Sequence, residues 1–113
     1  MMVNIYDIIG KNIAISTEDG KKIFKILKNE IENNGNDVVV SFKGIDMLIS
    51  HFLNESIGEL YNYFDKSKWE MLDTIKYIDI DEDDLELLQK RVVPNYKGDL
   101  KKQQEIQAKV LDD

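Results

Sequence analysis

Residues 37–42, Asp-Val-Val-Val-Ser-Phe, constrain this chain more than any other stretch. The run is short, rich in β-branched residues and almost continuously apolar, the signature of a strand buried on both faces. Such a strand needs a covering layer on each side, and the flanking segments can supply them. Upstream, Ser16 stands where a helix cap belongs, with Asp19 three residues on. Ile23, Phe24, Ile26, Leu27 and Ile31 then make one apolar stripe at helical spacing, and Asn33-Asn34-Gly35 is expected to end that helix. Downstream, Gly44 breaks the strand, and residues 50–64 form a second amphipathic stretch with Phe52, Leu53, Ile57, Leu60, Tyr61 and Phe64 on its buried face.

The other elements fit the same alternation. Val3, Ile5 and the pair Ile8-Ile9 predict a short first strand, and Ile13 and Ile15 a second, with turn chemistry in Asp7 and Gly10-Lys11-Asn12. The two are close enough for a hairpin. Asp65-Lys66-Ser67 is a turn, and Trp69, Met71 and Leu72 fit a short helical piece. Thr74-Ile75-Lys76-Tyr77-Ile78 suits a pleated surface. Asp81 should cap a third helix carrying Leu85, Leu87, Leu88 and Val92, stopped by the single proline, Pro94. Strands alternating with helices imply a layered α/β domain, a mixed four-stranded sheet packed against helices. The domain is expected over residues 1–98. Residues 99–113 read as a polar, helical C-terminal tail with Ile106, Val110 and Leu111 at helical spacing.

Composition narrows the function. At 113 residues the chain has room for one domain with a real core. The absence of cysteine removes disulfides, thiolate metal sites and cysteine nucleophiles. The start MMVNIYDIIG lacks the pattern of a signal peptide, and no apolar run approaches a membrane span, so a cytoplasmic protein without membrane contact is expected. The formal net charge is −7. Lys21, Lys22, Lys25 and Lys28 share their helix with Glu18, Asp19, Glu30 and Glu32, which argues against direct nucleic-acid binding.

The run from Val38 to Leu60, VVVSFKGIDMLISHFLNESIGEL, resembles the core of the STAS-like domain family, whose function is unknown. Phe42, Lys43 and Gly44 match its turn after the buried strand, and Ser50, Phe52, Asn54 and Glu55 its helix start. The segment DGKKIFKIL, with Gly20, is similar to the family's first helix, and the likeness extends over about residues 10–93. That family is similar in turn to anti-sigma-factor antagonists of bacteria, which dock onto a kinase-type partner and are switched by phosphorylation of a serine. Carried over by position, that serine is Ser50. The antagonists have an aspartate before it, where this chain has Ile49, and a small residue then glycine after it, where this chain has His51 and Phe52. The resemblance implies a regulatory protein-interaction module whose partner is a histidine-kinase-like ATPase or a transcription regulator.

On the residues alone, Ser50 reads as an N-cap. A helix start also tolerates a phosphate, because its free N–H groups favour an anion. The expected partner-binding residues are Lys43, Gly44, Asp46, Ser50, His51, Asn54 and Glu55. His51, the only histidine, lacks a recognisable nucleophile and orienting carboxylate, and neither a Gly-rich phosphate loop nor a triad pattern is present. No catalytic residue, cofactor or metal is therefore expected. The acidic run from Asp79 to Asp84 departs from a calcium loop at its sixth position, Asp84, and its twelfth, Lys90. It reads instead as a helix start. Gly20, inside the first turn of a helix, reads as a site of close helix packing. The aromatic cluster Tyr61, Tyr63, Phe64 and Trp69 reads as core and rim, with Tyr63 facing away from the apolar stripe. The rival reading is an acidic antitoxin, immunity-type or defence-complex subunit that neutralises a basic partner by broad charge.

Overall fold

The computed structural model describes residues 1–34 and 37–98. The expected helix stop at Gly35 and the expected tail at 99–113 lie outside them. Strand β1 (Met2–Asn4) leads directly into helix α1 (Ile5–Ile9). The sequence expectation of a strand reaching Ile9 is corrected here. Asn4 ends the strand by accepting the Asp7 N–H on its side-chain oxygen at 3.3 Å, a side-chain N-cap. Ile5 and Ile9, four residues apart, then fall on one buried helical face.

Strand β2 (Ile13–Ala14) precedes the long helix α2 (Thr17–Asn34). Ser16 caps α2, accepting the Asp19 N–H at 3.1 Å. Ile23, Leu27 and Ile31 are buried along its inner face, with Phe24 and Ile26 packed at its margins. Strand β3 (Val39–Ser41) follows, flanked by buried Val38 and Phe42. Strand β4 (Met47–Leu48) leads into a helical rod built as α3 (Ser50–Leu53), a π-turn (Asn54–Gly58) and α4 (Glu59–Tyr63). A 3₁₀ turn (Lys66–Lys68), helix α5 (Trp69–Leu72) and strand β5 (Lys76–Ile78) come next. A second rod closes the described chain: α6 (Glu82–Leu87), a π-turn (Leu88–Val92) and α7 (Val93–Tyr96).

Pro94 does not stop this last rod as expected. Within a regular α-helix its ring would strike the carbonyl four residues back. Here the preceding π-turn widens the ladder, with the Val93 N–H donating to the carbonyl of Leu88 five residues earlier, and the helix runs on to Tyr96.

The strands form two small sheets rather than one of four strands: β1-β3-β5 and β2-β4. All three pairings are parallel, so the expected hairpin and mixed sheet are corrected. The reason lies in two short connections. Helix α1 steps the chain out of line between β1 and β2, and the Lys43–Gly44 turn does the same between β3 and β4. Each early strand therefore finds its partner across α2: Met2 lies opposite Val39, and Ile13 opposite Met47.

The core sits between α2, the three-stranded sheet and the two rods, with Phe52, Leu53, Ile57, Leu60, Leu72, Leu88 and Val92 at its centre. Gly20 permits the close approach of α2 to the π-turn. A Cβ there would stand 2.8 Å from the Cβ of Glu55 and 3.3 Å from the carbonyl oxygen of Phe52.

Candidate functional site

The segment from Lys43 to Glu55 is where the fold turns its central strand outward. After buried Phe42, whose N–H donates to Ile78 O at 3.0 Å, the chain reverses at Lys43 and Gly44. Gly44 has φ 88°, a left-handed backbone that favours glycine, and the Tyr6 ring packs where a side chain would sit. Asp46 then takes the chain to the neighbouring sheet. Its N–H donates to Asn12 O at 2.7 Å, and its carboxylate accepts from the Asn12 side-chain amide at 2.8 Å.

Strand β4 pairs with β2 in register, and the Ile49 N–H continues the ladder to Ala14 O at 3.3 Å. Residues two apart on a strand share a face. Ala14 turns inward and is fully buried, whereas Ile13, Ile15, Met47 and Ile49 turn outward, 37%, 37%, 55% and 40% exposed. Ile13 lies opposite Met47 in the parallel pair, and Ile15 and Ile49 follow directly on the two strand ends, all four with their apolar side chains exposed. Parallel sheets are ordinarily covered on both faces, and a contiguous exposed apolar patch marks an interaction surface more often than single exposed residues do.

Helix α3 begins at the end of this patch. Its N-cap position is Ile49, in extended conformation and without a side-chain cap, so Ser50 is the first helical residue. The reading of Ser50 as an N-cap is corrected. Its side chain is exposed, and it makes no hydrogen bond to any described residue.

The expected site residues fall on a continuous strip, yet they serve different surfaces. Lys43 and Gly44 form the exposed turn. Asp46 lines a cleft of about 210 Å³ with Asp79, Asp81 and Asp84. His51 is hydrogen-bonded through Nε2 to Thr17 Oγ1 at the start of α2. Ser50 and Asn54 face the second rod, lining a groove with Arg91 and Asn95. Glu55 packs on Gly20 and lines a groove of about 630 Å³ with Lys21, Lys25 and Lys28. His51, Asp46 and Glu55 are not gathered around one cavity.

Electrostatics mark two places. Burial, reinforced by Asp81 and Asp83, raises the carboxyl of Asp84 above its ordinary value. Asp79 itself sits at φ 54°, the only described non-glycine residue with positive φ. No group of three or more His, Asp or Glu side chains among the described residues is placed to hold a metal ion. Near the start of α2, Asp19 is almost wholly buried. The Lys11 ammonium, 2.8 Å away, is the largest cause holding its carboxyl below the ordinary value, with the Ser16 hydrogen bond and Lys22 assisting against burial.

Tyr63, expected to face away from the stripe, is half exposed but not free. It lies edge-on to Phe24 and Phe64, under Lys28, with its hydroxyl donating to Glu32 at 3.2 Å. Sequence reasoning missed Arg91 and Asn95, which the second rod brings opposite Ser50. It also missed the outward pairing of Met47 and Ile49 with Ile13 and Ile15. The period of two in each pair was a usable signal, and Arg91 is the chain's only arginine.

No helix among the described residues is long and apolar enough to cross a membrane. No curated protein and no solved structure was found to match the chain. A family model described as a STAS-like domain of unknown function (DUF4325) matches residues 19–85, more than half of the sequence and all of the strip just described, and the chain belongs to that family.

Proposed function

We propose that this protein is a regulatory protein-interaction module that docks a partner on the outer face of β2-β4 and the adjoining strip from Lys43 to Glu55, with Ser50 as a phospho-acceptor that switches docking. One observation carries the reading: four large apolar side chains are exposed on and just beyond a parallel strand pair that leads to an exposed serine whose side chain bonds to no described residue. The partner has an apolar contact surface, and the family resemblance points to a histidine-kinase-like ATPase or a transcription regulator. Binding, not catalysis, is the role. A phosphate on Ser50 adds up to two negative charges beside the apolar face, which repels or detaches an acidic or apolar partner surface.

The test is quantitative. The partner is identified by co-purification from the native cell and mass spectrometry, and its affinity is then measured for purified variants. Met47→Glu places a charge in the centre of the apolar face and should weaken binding at least tenfold, as expected for one desolvated hot-spot position. Ser50→Glu should weaken it as well. Unchanged affinity for both variants and for Asn54→Ala removes the face.

The cleft lined by Asp46, Asp79, Asp81 and Asp84 supports a second reading, in which the chain neutralises a basic partner as an antitoxin or immunity-type subunit does. That reading requires affinity that collapses with salt. It also requires loss on Asp79→Asn with Asp81→Asn, while Met47→Glu and Ser50→Glu bind as the wild type does.

A further inference from the structure

Between the first turn of the 50–63 rod and the 82–96 rod lies an open groove of about 420 Å³, lined by Ser50, Asn54, Leu87, Arg91, Val92 and Asn95. Its chemistry is unlike the rest of the molecule. The chain has 22 acidic residues and a net charge of −7, yet no carboxylate among the described residues lines this groove. All four polar side chains in it carry N–H or O–H donors. None of the four makes a side-chain hydrogen bond or an ion pair with any described residue. Several other polar side chains are paired within the fold: Asn12 with Asp46, Thr17 with His51, Tyr61 with Asp73, Tyr96 with Glu59. Leu87 and Val92 give the groove an apolar floor, with Val92 buried.

Four unengaged donors, one of them cationic, are complementary to a compact anion with several acceptor oxygens. Arginine is the cation suited to this, because its planar fork matches two phosphate oxygens at once where lysine offers a point charge. The asparagine amides add neutral donors that do not depend on pH. We propose that this groove is a receptor for a phosphate monoester, with Arg91 as its charge partner and Asn54 and Asn95 as its further donors. The inference rests on the proposed function in one respect: Ser50, on the rim, is the nearest carrier of such a group. Loading it forms a P–O bond at Ser50 Oγ and breaks the bond to the nucleoside diphosphate of a nucleoside triphosphate. The hydroxyl proton passes to a base of the partner kinase. The phosphoryl group then bridges the two rods, joining the start of α3 to the π-turn that carries Arg91.

The same chemistry can arrive on Ser50 or from solution, and two arms on the full-length protein separate these sources. In the first, the unmodified protein is titrated with inorganic phosphate against chloride at matched ionic strength. NMR follows the Asn54 and Asn95 side-chain amides and the Arg91 Nε–H. Saturable shifts at all three are expected, and in Arg91→Gln the shifts of the Asn54 and Asn95 amides should vanish. In the second, phosphoserine is installed at position 50 and its ionisation followed by phosphorus NMR. An ordinary phosphoserine has its second pKa near 6, and Arg91 should lower that midpoint by about half a unit. Arg91→Gln should restore it, and Arg91→Lys should keep part of the shift. Success in the first arm alone supports the groove as a receptor for an external phosphate and removes Ser50 as its carrier. Success in the second supports the bridged form. Shifts scattered over the surface lysines, with no effect of Arg91→Gln in either arm, overturn the proposal.

Discussion

Replacing Gly20 by alanine tests the packing that positions the strip from Lys43 to Glu55. In an isolated helix the change would stabilise by roughly 1 kcal/mol through backbone entropy. Here the new Cβ would stand 2.8 Å from the Cβ of Glu55 and 3.3 Å from Phe52 O. Neither atom is the tip of a flexible side chain, so α2 and the π-turn must separate by about half an ångström. Inserting a methyl into a packed contact of this kind costs about 1–3 kcal/mol. The net expectation is a loss of about 1 kcal/mol, or roughly 4–8 °C in Tm for a domain of this size. Urea unfolding followed by circular dichroism measures it, with Lys21→Ala, at an exposed position of the same helix, as the control. The mechanism also predicts coupling: Glu55→Gly removes the opposing Cβ, so a double-mutant cycle should show roughly 1 kcal/mol of recovery. A Gly20→Ala protein as stable as the wild type, or an additive cycle, would refute the close contact and with it the placement of Asn54 and Glu55.

Other expectations follow from single groups. Asp19→Asn should destabilise the protein at neutral pH, because the carboxylate held by Lys11 and Ser16 is lost. Its folded pKa lies below the ordinary 3.8. Its contribution is therefore complete above that value and fades as pH falls through the lowered one, so the Tm difference between variant and wild type should shrink in strong acid. In alkali the sign reverses. The phenols of Tyr61 and Tyr77 are raised well above 10, chiefly by burial, and Tyr96 is pushed up to about 12. Neutral phenols thus favour the folded state below their ordinary value of 10, and that preference is lost as pH rises. Absorbance titration should show Tyr61 and Tyr77 ionising only together with the loss of circular dichroism. Phe52→Ala, at a fully buried position, should cost about 3–5 kcal/mol by urea unfolding. Met47→Gln, on the bare face, should stay within about 0.5 kcal/mol of wild type.

The elements most legible in the sequence were those whose signals agreed at every level. Helix α2 announced itself through the Ser16 cap and the Ile23-Leu27-Ile31 stripe, and β3 through its valines, because burial selects those side chains whatever the partner strand. Ile5, Ile8 and Ile9 were ambiguous. Their spacing fits one face of a helix as well as a ragged strand, and the Asn4 cap was the only local clue that decided it. Pairing was illegible for another reason. A hairpin is the nearest solution for two strands close in sequence, but α1 uses the intervening residues to change direction, and parallel pairing across α2 wins. Pro94 misled because its cost depends on the turn before it, and no residue type in Leu88–Val92 advertises a π-turn. Around Ser50, which side chains share a surface was not readable. Nothing in the spacing of Ser50 and Arg91 says that two rods will bring them to one groove.

The bare face of β2-β4 follows from that topology. A parallel pair needs a crossover, and one crossover covers one face. Here α2 serves both pairs at once, linking β1 to β3 and β2 to β4. The inner face of β2-β4 therefore receives Ala14 packed into the core. The opposite face would need a second covering helix. Among the described residues the helix before β2 is α1, five residues long, and its apolar side is spent on Ile5 and Ile9 within the core. Among the described elements no helix therefore covers this face. The sequence nevertheless places Ile13, Ile15, Met47 and Ile49 there rather than the polar residues that a permanently wet strand would carry. The part of these side chains left exposed contributes nothing to folding. On the proposed function, a partner that covers β2-β4 would supply the missing layer of the domain and reach Ser50 at its edge.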